Sequence, residues 1–135
     1  MLTPARFLSL SLTVALLLLA GCNLARESDA PVFTPALSIS FQSPDNMAQV
    51  HTGDEVTFLL LAEDQNGPGV ARVELMVDDH LHQEGTPEVS GAVPVFTVEM
   101  RWKANGPGLH SISAVAFRAD GTASDPATIV VEVIP

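Results

Sequence analysis

The amino-acid sequence predicts an all-β protein: one antiparallel β-sandwich of about seven short strands, preceded by a cleaved helical signal peptide. Two observations predict the sandwich. Apolar and polar residues alternate over short segments from residue 36 onward, and turn-forming sequences separate these segments at intervals of roughly ten residues. No helical period of apolar residues follows the N-terminal segment. Residues 36–135 are therefore interpreted as one folded domain.

The N-terminal segment has the composition of an export signal. Residues 7–20 follow Arg6 and are almost wholly apolar or small. Their last two residues begin the sequence Leu19-Ala20-Gly21-Cys22, which contains the only cysteine of the chain. A transmembrane helix needs about 20 apolar residues, so this segment is short for one. The small residues before the cysteine favour cleavage instead. An uncleaved anchor and an ordinary secretory signal are the alternatives.

This segment resembles a bacterial lipoprotein signal peptide with its lipobox. The resemblance implies cleavage between Gly21 and Cys22, acylation of Cys22, and attachment to the extracytoplasmic face of a cell membrane or an outer membrane. The chain then divides into a signal peptide (1–21), a lipidated cysteine with a flexible tether (22–35) and the folded domain (36–135). The tether is polar and contains proline, with no apolar period.

The composition argues against several kinds of partner. The chain has 6 Lys and Arg against 16 Asp and Glu, a net charge of −10 that becomes −11 when Arg6 is removed with the signal peptide. The remaining basic residues are scattered singly, whereas nucleic-acid binding needs clusters of them, so we expect no nucleic-acid partner. If Cys22 is acylated, the domain has no disulfide and is stabilised by packing alone.

The first half of the domain contains three predicted strands. Residues 36–41 alternate three apolar side chains with serines, and the turn sequence at 43–46 ends this strand. Residues 55–63 form a longer apolar strand whose length and β-branched start favour strand over buried helix. The turn at 64–69 leads into residues 70–77, which alternate again.

The second half supplies four further strands. Residues 78–80 reverse the chain, and 81–83 form a short strand. Residues 94–102 have the cleanest alternation in the chain and place Trp102 on the inner face. Residues 109–118 and 126–133 complete the set.

The tetrapeptide Asn-Gly-Pro-Gly occurs twice, at residues 66–69 and 105–108, each time before a predicted strand. The two strands that follow do not match one another in sequence. We therefore interpret the tetrapeptide as one turn sequence used twice, without an internal repeat of the fold.

Several short motifs resemble bacterial immunoglobulin-like domains in their order and spacing across residues 36–133. The motifs are Gly53-Asp54-Glu55-Val56, Ala62-Glu63-Asp64, Gly69-Val70-Ala71-Arg72-Val73-Glu74-Leu75, Val77-Asp78, Trp102, Gly108-Leu109-His110, Ala116, Asp120-Gly121 and Ser124-Asp125-Pro126. The chain lacks two inter-sheet cysteines, a tryptophan on the third strand and any tyrosine. These departures point toward a fibronectin- or cadherin-like variant.

No residues in the sequence have the pattern of a catalytic site, so we predict no enzymatic activity and no cofactor. There is no Gly-x-Ser-x-Gly motif and no carboxylate pair in apolar surroundings. His80 and His82 could face one side of a strand and bind zinc, but no cysteine or third histidine completes the site, so a solvated turn is favoured. His110 follows the inward-facing phase of its strand and is interpreted as a partly buried structural histidine.

Calcium is the more plausible ligand. Hard oxygen ligands are expected in three loops, with weak candidates at Asp64, Asn66, Asp78, Asp79 and Asp120. Aspartate and asparagine are also ordinary turn residues, and the spacing lacks the terminal glutamate of an EF-hand. A calcium-dependent adhesion module is thus the alternative function.

Apolar residues on an expected outer face suggest a site for a protein partner. If the third, sixth and seventh predicted strands share a sheet, as the resemblance to immunoglobulin-like domains implies, its outer face carries Met76, Val115, Phe117 and Val130. Scattered surface apolar residues are the competing interpretation. The sequence thus predicts a membrane-anchored extracytoplasmic lipoprotein whose domain is a non-catalytic module that binds an envelope protein or acts as a spacer.

Overall fold

The structure, a computed structural model, describes residues 36–135. These residues form eight strands and no helix, so none of them belongs to a helix that could cross a membrane. The predicted signal peptide, its cleavage site, Cys22 and the tether lie outside the described residues. The strands are β1 (Ser38–Ser43), β2 (Ala48–His51), β3 (Glu55–Glu63), β4 (Arg72–Val77), β5 (His80–Gly85), β6 (Val95–Lys103), β7 (Gly108–Phe117) and β8 (Ala127–Ile134).

The strands form two sheets, as the alternating sequence predicts. One sheet has the order β1-β3-β6 and the other the order β2-β8-β7-β4-β5. All neighbouring strands are antiparallel except β2 and β8, which are parallel. The sequence-based count of about seven missed β2, because a strand of four residues is too short to show alternation. Through β2 the chain leaves the first sheet and joins the second.

The core lies between the sheets and consists of the alternate residues of each long strand. Phe58 and Leu60 of β3, Leu75 of β4 and Ile112 of β7 are fully buried. Burying each such side chain stabilises the fold by roughly 1.5–3 kcal/mol. Trp102 at the end of β6 is 7% exposed, so its predicted inward orientation is confirmed.

Strand β5 is exposed along its length and forms one edge of the five-stranded sheet. Its register with β4 skips His82, which is an extra residue and forms a β-bulge. His82 Nε2 lies 2.8 Å from the carbonyl oxygen of Arg101, and the N–H of Arg101 donates to Gln83 Oε1 at 3.0 Å. Two side chains of β5 therefore bond to the backbone of β6 in the other sheet.

The loops gather at two ends of the sandwich. At the entry end, where β1 begins, lie residues 64–71 and 118–126, since Ser38 pairs with Glu63 and Arg72 with Phe117. At the exit end, where β8 ends, lie residues 52–54, 78–79 and 104–107. Strand β4 runs from the entry end to the exit end.

Candidate functional site

The entry end contains a buried ion pair. Asp64 follows β3 and is 1% exposed, and the guanidinium of Arg118, which follows β7, donates to both of its carboxylate oxygens. The distances are 2.8 Å from Nε to Oδ2 and 2.9 Å from Nη2 to Oδ1. The Gly69 N–H also donates to Oδ2, at 3.0 Å. Hydrogen bonds from Arg118 outweigh burial and hold the pKa of Asp64 below its usual value.

The loop that carries this carboxylate requires glycine at residue 67. A Cβ atom there would overlap the carboxylate of Asp64, and that carboxylate is fixed by Arg118. The sequence suggested a turn residue and a weak calcium candidate at Asp64, and the ion pair was not predicted. Its partner lies 54 positions along the chain, so no local spacing identifies the pair.

The exit end holds a second carboxylate, on the tight turn between β4 and β5. Val77 pairs with His80, so Asp78 and Asp79 form a two-residue loop, and both have positive φ, 49° and 65°. Such a loop matches the twist of an antiparallel hairpin. Asp78 Oδ1 accepts from the N–H of Ser111 at 2.9 Å. The turn therefore fixes Asp78 against the beginning of β7.

His110 is bonded through both of its ring nitrogens. Nδ1 lies 2.7 Å from Oδ2 of Asp78, and Nε2 lies 2.7 Å from the carbonyl oxygen of Gly106. The ring packs on Trp102, with centroids 5.1 Å apart, and its side chain is 17% exposed. The Gly106 carbonyl and then Asp78 raise the pKa of His110, and the bond from His110 is the main cause of the lowered pKa of Asp78. The ring is thus partly buried, as the sequence predicts.

The five calcium candidates are divided between the two ends. Asp64, Asn66 and Asp120 lie at the entry end, whereas Asp78 and Asp79 lie at the exit end, separated by the six residues of β4, roughly 20 Å. Within residues 36–135, no group of three or more histidine, cysteine, aspartate or glutamate side chains is arranged to hold a metal ion. Calcium-dependent adhesion therefore stays a prediction, and the candidates do not form one shared site.

The two histidines considered for zinc have separate partners. His80 Nδ1 lies 2.7 Å from the carbonyl oxygen of Asp78, within the turn. His82 is the bulge residue, and its ring bonds to Arg101 of the other sheet. The common face considered for the two rings does not form, because the bulge breaks the alternation of β5.

The four residues of the predicted partner patch lie on the outer face of the five-stranded sheet. They are half-buried and come from β4, β7 and β8, which share that sheet as expected: Met76, Val115, Phe117 and Val130. Polar side chains lie among them. The Arg72 guanidinium covers the Phe117 ring at 3.9 Å, and a hydrogen bond of 2.9 Å joins Ser113 to Thr128. The patch is therefore a mixed polar and apolar surface.

Solved structures support the same fold. The fibronectin(III)-like modules of CbhA from Clostridium thermocellum share 24% identity with this chain, covering 71% of it and 96% of the module, with a TM-score of 0.59. The CARDB domain of a Pyrococcus furiosus protein, in complex with di-metal ions, shares 17% identity over 73% of this chain and 87% of that one, with a TM-score of 0.56. At these identities the likeness concerns the fold. No curated protein matches the sequence.

A family model gives the classification. The model described as "Bacterial Ig domain" matches residues 38–114, which is more than half of the 135 residues and extends from β1 into β7. The matched region includes both carboxylates, His110 and the β5–β6 contact. The chain therefore belongs to the bacterial Ig domain family.

Proposed function

We propose that this protein is a lipid-anchored, extracytoplasmic lipoprotein whose Ig domain is a non-catalytic protein-binding or spacer module at the cell envelope. One observation carries the non-catalytic part. The buried or partly buried ionisable groups at both ends of the sandwich, Asp64 with Arg118 and Asp78 with His110, are hydrogen-bonded to each other and to the backbone. A catalytic acid or base needs access to a substrate proton, and these bonds compete with that role.

The anchor rests on the sequence Leu19-Ala20-Gly21-Cys22 and the apolar segment before it. Membership of an Ig family fits an exported module, because many cell-surface domains share this sandwich architecture and carry binding residues on a rigid scaffold. A short tether confines the domain near the membrane, so weak contacts act at a raised local concentration.

The anchor is tested by expressing the protein with its own N-terminal segment in a bacterial host. We expect the mature chain to begin at Cys22, to carry acyl chains by mass spectrometry, and to fractionate with membranes. Cys22→Ser should release it or leave it unprocessed. Asn23→Ser, which changes the neighbouring residue, is the matched control and should remain acylated. A wild-type chain that retains Met1, or whose Cys22 is unmodified, contradicts the proposal.

Partner binding is assigned to the outer face of the five-stranded sheet. Arg72 lies over Phe117 and also pairs with Glu74 at 3.0 Å, so this face combines an aromatic ring with one charge of each sign. Such mixed surfaces with an aromatic centre are typical of protein interfaces.

The variant Phe117→Asp separates binding from spacing. The new carboxylate would lie beside Arg72, so the fold should be kept, while the aromatic contact is lost. We expect crosslinking of the anchored protein to envelope partners to fall at least tenfold. Thr97→Asp, an exposed change on β6 of the other sheet, is the control and should leave crosslinking unchanged. If neither variant changes crosslinking, the binding role of this face is wrong and the spacer role is favoured.

A further inference from the structure

The ring of His110 contacts two hydrogen-bond acceptors at once. One is a carboxylate oxygen of Asp78, and the other is the carbonyl oxygen of Gly106, each 2.7 Å from a ring nitrogen. A carbonyl oxygen and an ionised carboxylate can each accept a hydrogen bond, but neither can donate one. A neutral imidazole has only one N–H, whereas the imidazolium has two. Both contacts are hydrogen bonds only when His110 carries its extra proton.

We propose that His110 is a pH-dependent latch at the exit end: its imidazolium ties the β6–β7 loop at Gly106 to the β4–β5 turn at Asp78, and loss of the proton releases the loop. The anchor and the partner face are not involved, so the latch stands or falls independently of the proposed function.

The direction of release follows from the strengths of the two bonds. A hydrogen bond to a carboxylate is stronger than one to a neutral carbonyl, so the neutral ring keeps its single proton on Nδ1, facing Asp78. The lone pair of Nε2 then faces the lone pairs of the Gly106 oxygen, and this contact is repulsive at 2.7 Å. Gly106 has φ of 80°, and a Cβ atom added there would meet no atom within 4 Å, so this part of the loop has room to move. The buried Ala104 at the start of the loop is held separately, by backbone bonds to Gly53 and Asp54.

The surroundings of the ring leave Asp78 as its principal charged neighbour. On β6 the ring packs against Trp102, whose face favours a cation. On β8 the paired residue is Val131. His80 acts indirectly, since its positive charge when protonated would favour ionised Asp78.

Other charged groups at the exit end have their own partners or point away. Asp54 accepts from the His51 backbone, and Glu132 accepts from Gln49 on the outer face. Lys103 is exposed on the opposite face of β6 from Trp102, and Asp79 is exposed in the turn. Within residues 36–135, no second carboxylate is placed to replace Asp78 at the ring.

The bonds to Gly106 and Asp78 raise the pKa of His110 above its ordinary value of 6.5. The latch is therefore closed below this raised value and opens as the pH rises through it.

The test is a pH titration of the full chain in detergent micelles, with ¹³C and ¹⁵N labels in histidine and glycine. We expect the ring nitrogens of His110 and the carbonyl carbon of Gly106 to change with one shared midpoint above pH 6.5. The neutral ring should carry its proton on Nδ1. A Gly106 carbonyl that does not change while His110 titrates overturns the latch, and so does a neutral ring protonated on Nε2.

Two variants sharpen the test. Asp78→Asn keeps an oxygen for the Ser111 N–H but removes the charge, so the shared midpoint should fall by about one pH unit or more. His51→Asn changes an exposed histidine at the same end and should leave the Gly106 transition in place. An unchanged midpoint in Asp78→Asn, or a lost transition in His51→Asn, contradicts the proposed pairing.

Discussion

The two ends of the sandwich hold a turn carboxylate with different cations. Asp64 and Asp78 each accept one backbone N–H and one cationic side chain. Asp64 is buried and bonds Arg118, which stays charged at every accessible pH, whereas the side chain of Asp78 is 48% exposed and bonds the titratable His110. The same bonding pattern thus gives a permanent ion pair at one end and a pH-sensitive ion pair at the other.

The repeated tetrapeptide Asn-Gly-Pro-Gly takes part at both ends, but it bonds to the carboxylate at one end and to the histidine at the other. At residues 66–69 the last glycine donates its N–H to Asp64, and at residues 105–108 the first glycine accepts through its carbonyl from His110. The final glycine has positive φ in both copies, 102° and 127°. Identical sequence thus supplies a donor at one end and an acceptor at the other.

The largest effect is expected from Arg118→Met, which leaves the Asp64 carboxylate buried without its cation. The melting temperature Tm should fall by roughly 15 °C in a thermal scan followed by circular dichroism. Acidification should recover part of the loss, because protonation removes the buried charge. Arg101→Met breaks the exposed 3.4 Å pair with Glu55 and is the control, with little change expected. Equal losses in both variants contradict the contrast.

The next comparison uses one glycine from each tetrapeptide. Gly67→Ala places a Cβ atom on the Asp64 carboxylate and should displace it from Arg118, at a cost of several kcal/mol. Gly106→Ala meets no neighbouring atom and is penalised by its φ of 80° alone, about 1 kcal/mol. Urea denaturation measures both. If Gly106→Ala lowers the free energy of unfolding more than Gly67→Ala does, the close packing at the entry end is not the stronger constraint.

The pH dependence of stability should differ for the two cations. The raised pKa of His110 contributes stability that is complete below its unfolded value near 6.5 and is lost as the pH rises through the folded value. The lowered pKa values of Asp64 and Asp78 contribute stability that is lost as the pH falls through their folded values, below the ordinary 3.8. Wild type should lose about 1 kcal/mol on the alkaline side, the worth of one hydrogen bond.

The variant His110→Gln removes that alkaline loss and serves as the reference. Its free energy of unfolding, measured by urea at a series of pH values, should be flat where wild type declines. The acidic decline should persist, because Asp64 and Arg118 are unchanged. Parallel curves for the two proteins on the alkaline side would mean that His110 does not titrate with folding.

The smallest effect is expected along the β5–β6 side, where no carboxylate is involved. Gln83→Ala removes the acceptor of the Arg101 N–H, an exposed bond, and should cost under about 1 kcal/mol at every pH. Denaturant titration at two pH values checks this. A marked pH dependence of the difference would show that the two ends are not the only pH-responsive regions.

The sequence predicted the features that depend on local order. Alternation over 55–63 and 94–102 identified two core strands, and the inward position of Trp102 followed from the same period. The sharing of one sheet by β4, β7 and β8 came from the Ig resemblance. The first two features follow from neighbouring residues, and the third follows from the strand order of a known fold.

The features that sequence reasoning missed depend on distant residues or on one irregular residue. Asp64 and Arg118 lie 54 positions apart and meet only because β3 and β7 both finish at the entry end of the sandwich. The bulge at His82 has no glycine or proline to mark it, so the sequence left open a common face for His80 and His82. Strand β2 is defined by its parallel pairing with β8, a relation that four residues cannot reveal.

The side-chain bonds from β5 to Arg101 also affect how copies of this protein behave when crowded together. The outer edge of a strand can pair with the edge of another molecule and so begin aggregation. At Arg101 both the N–H and the carbonyl are already occupied, by Gln83 and His82. An incoming strand would have to displace both side chains before it could add to this part of β6. The side chains at the bulge thus hinder strand addition at this point of β6.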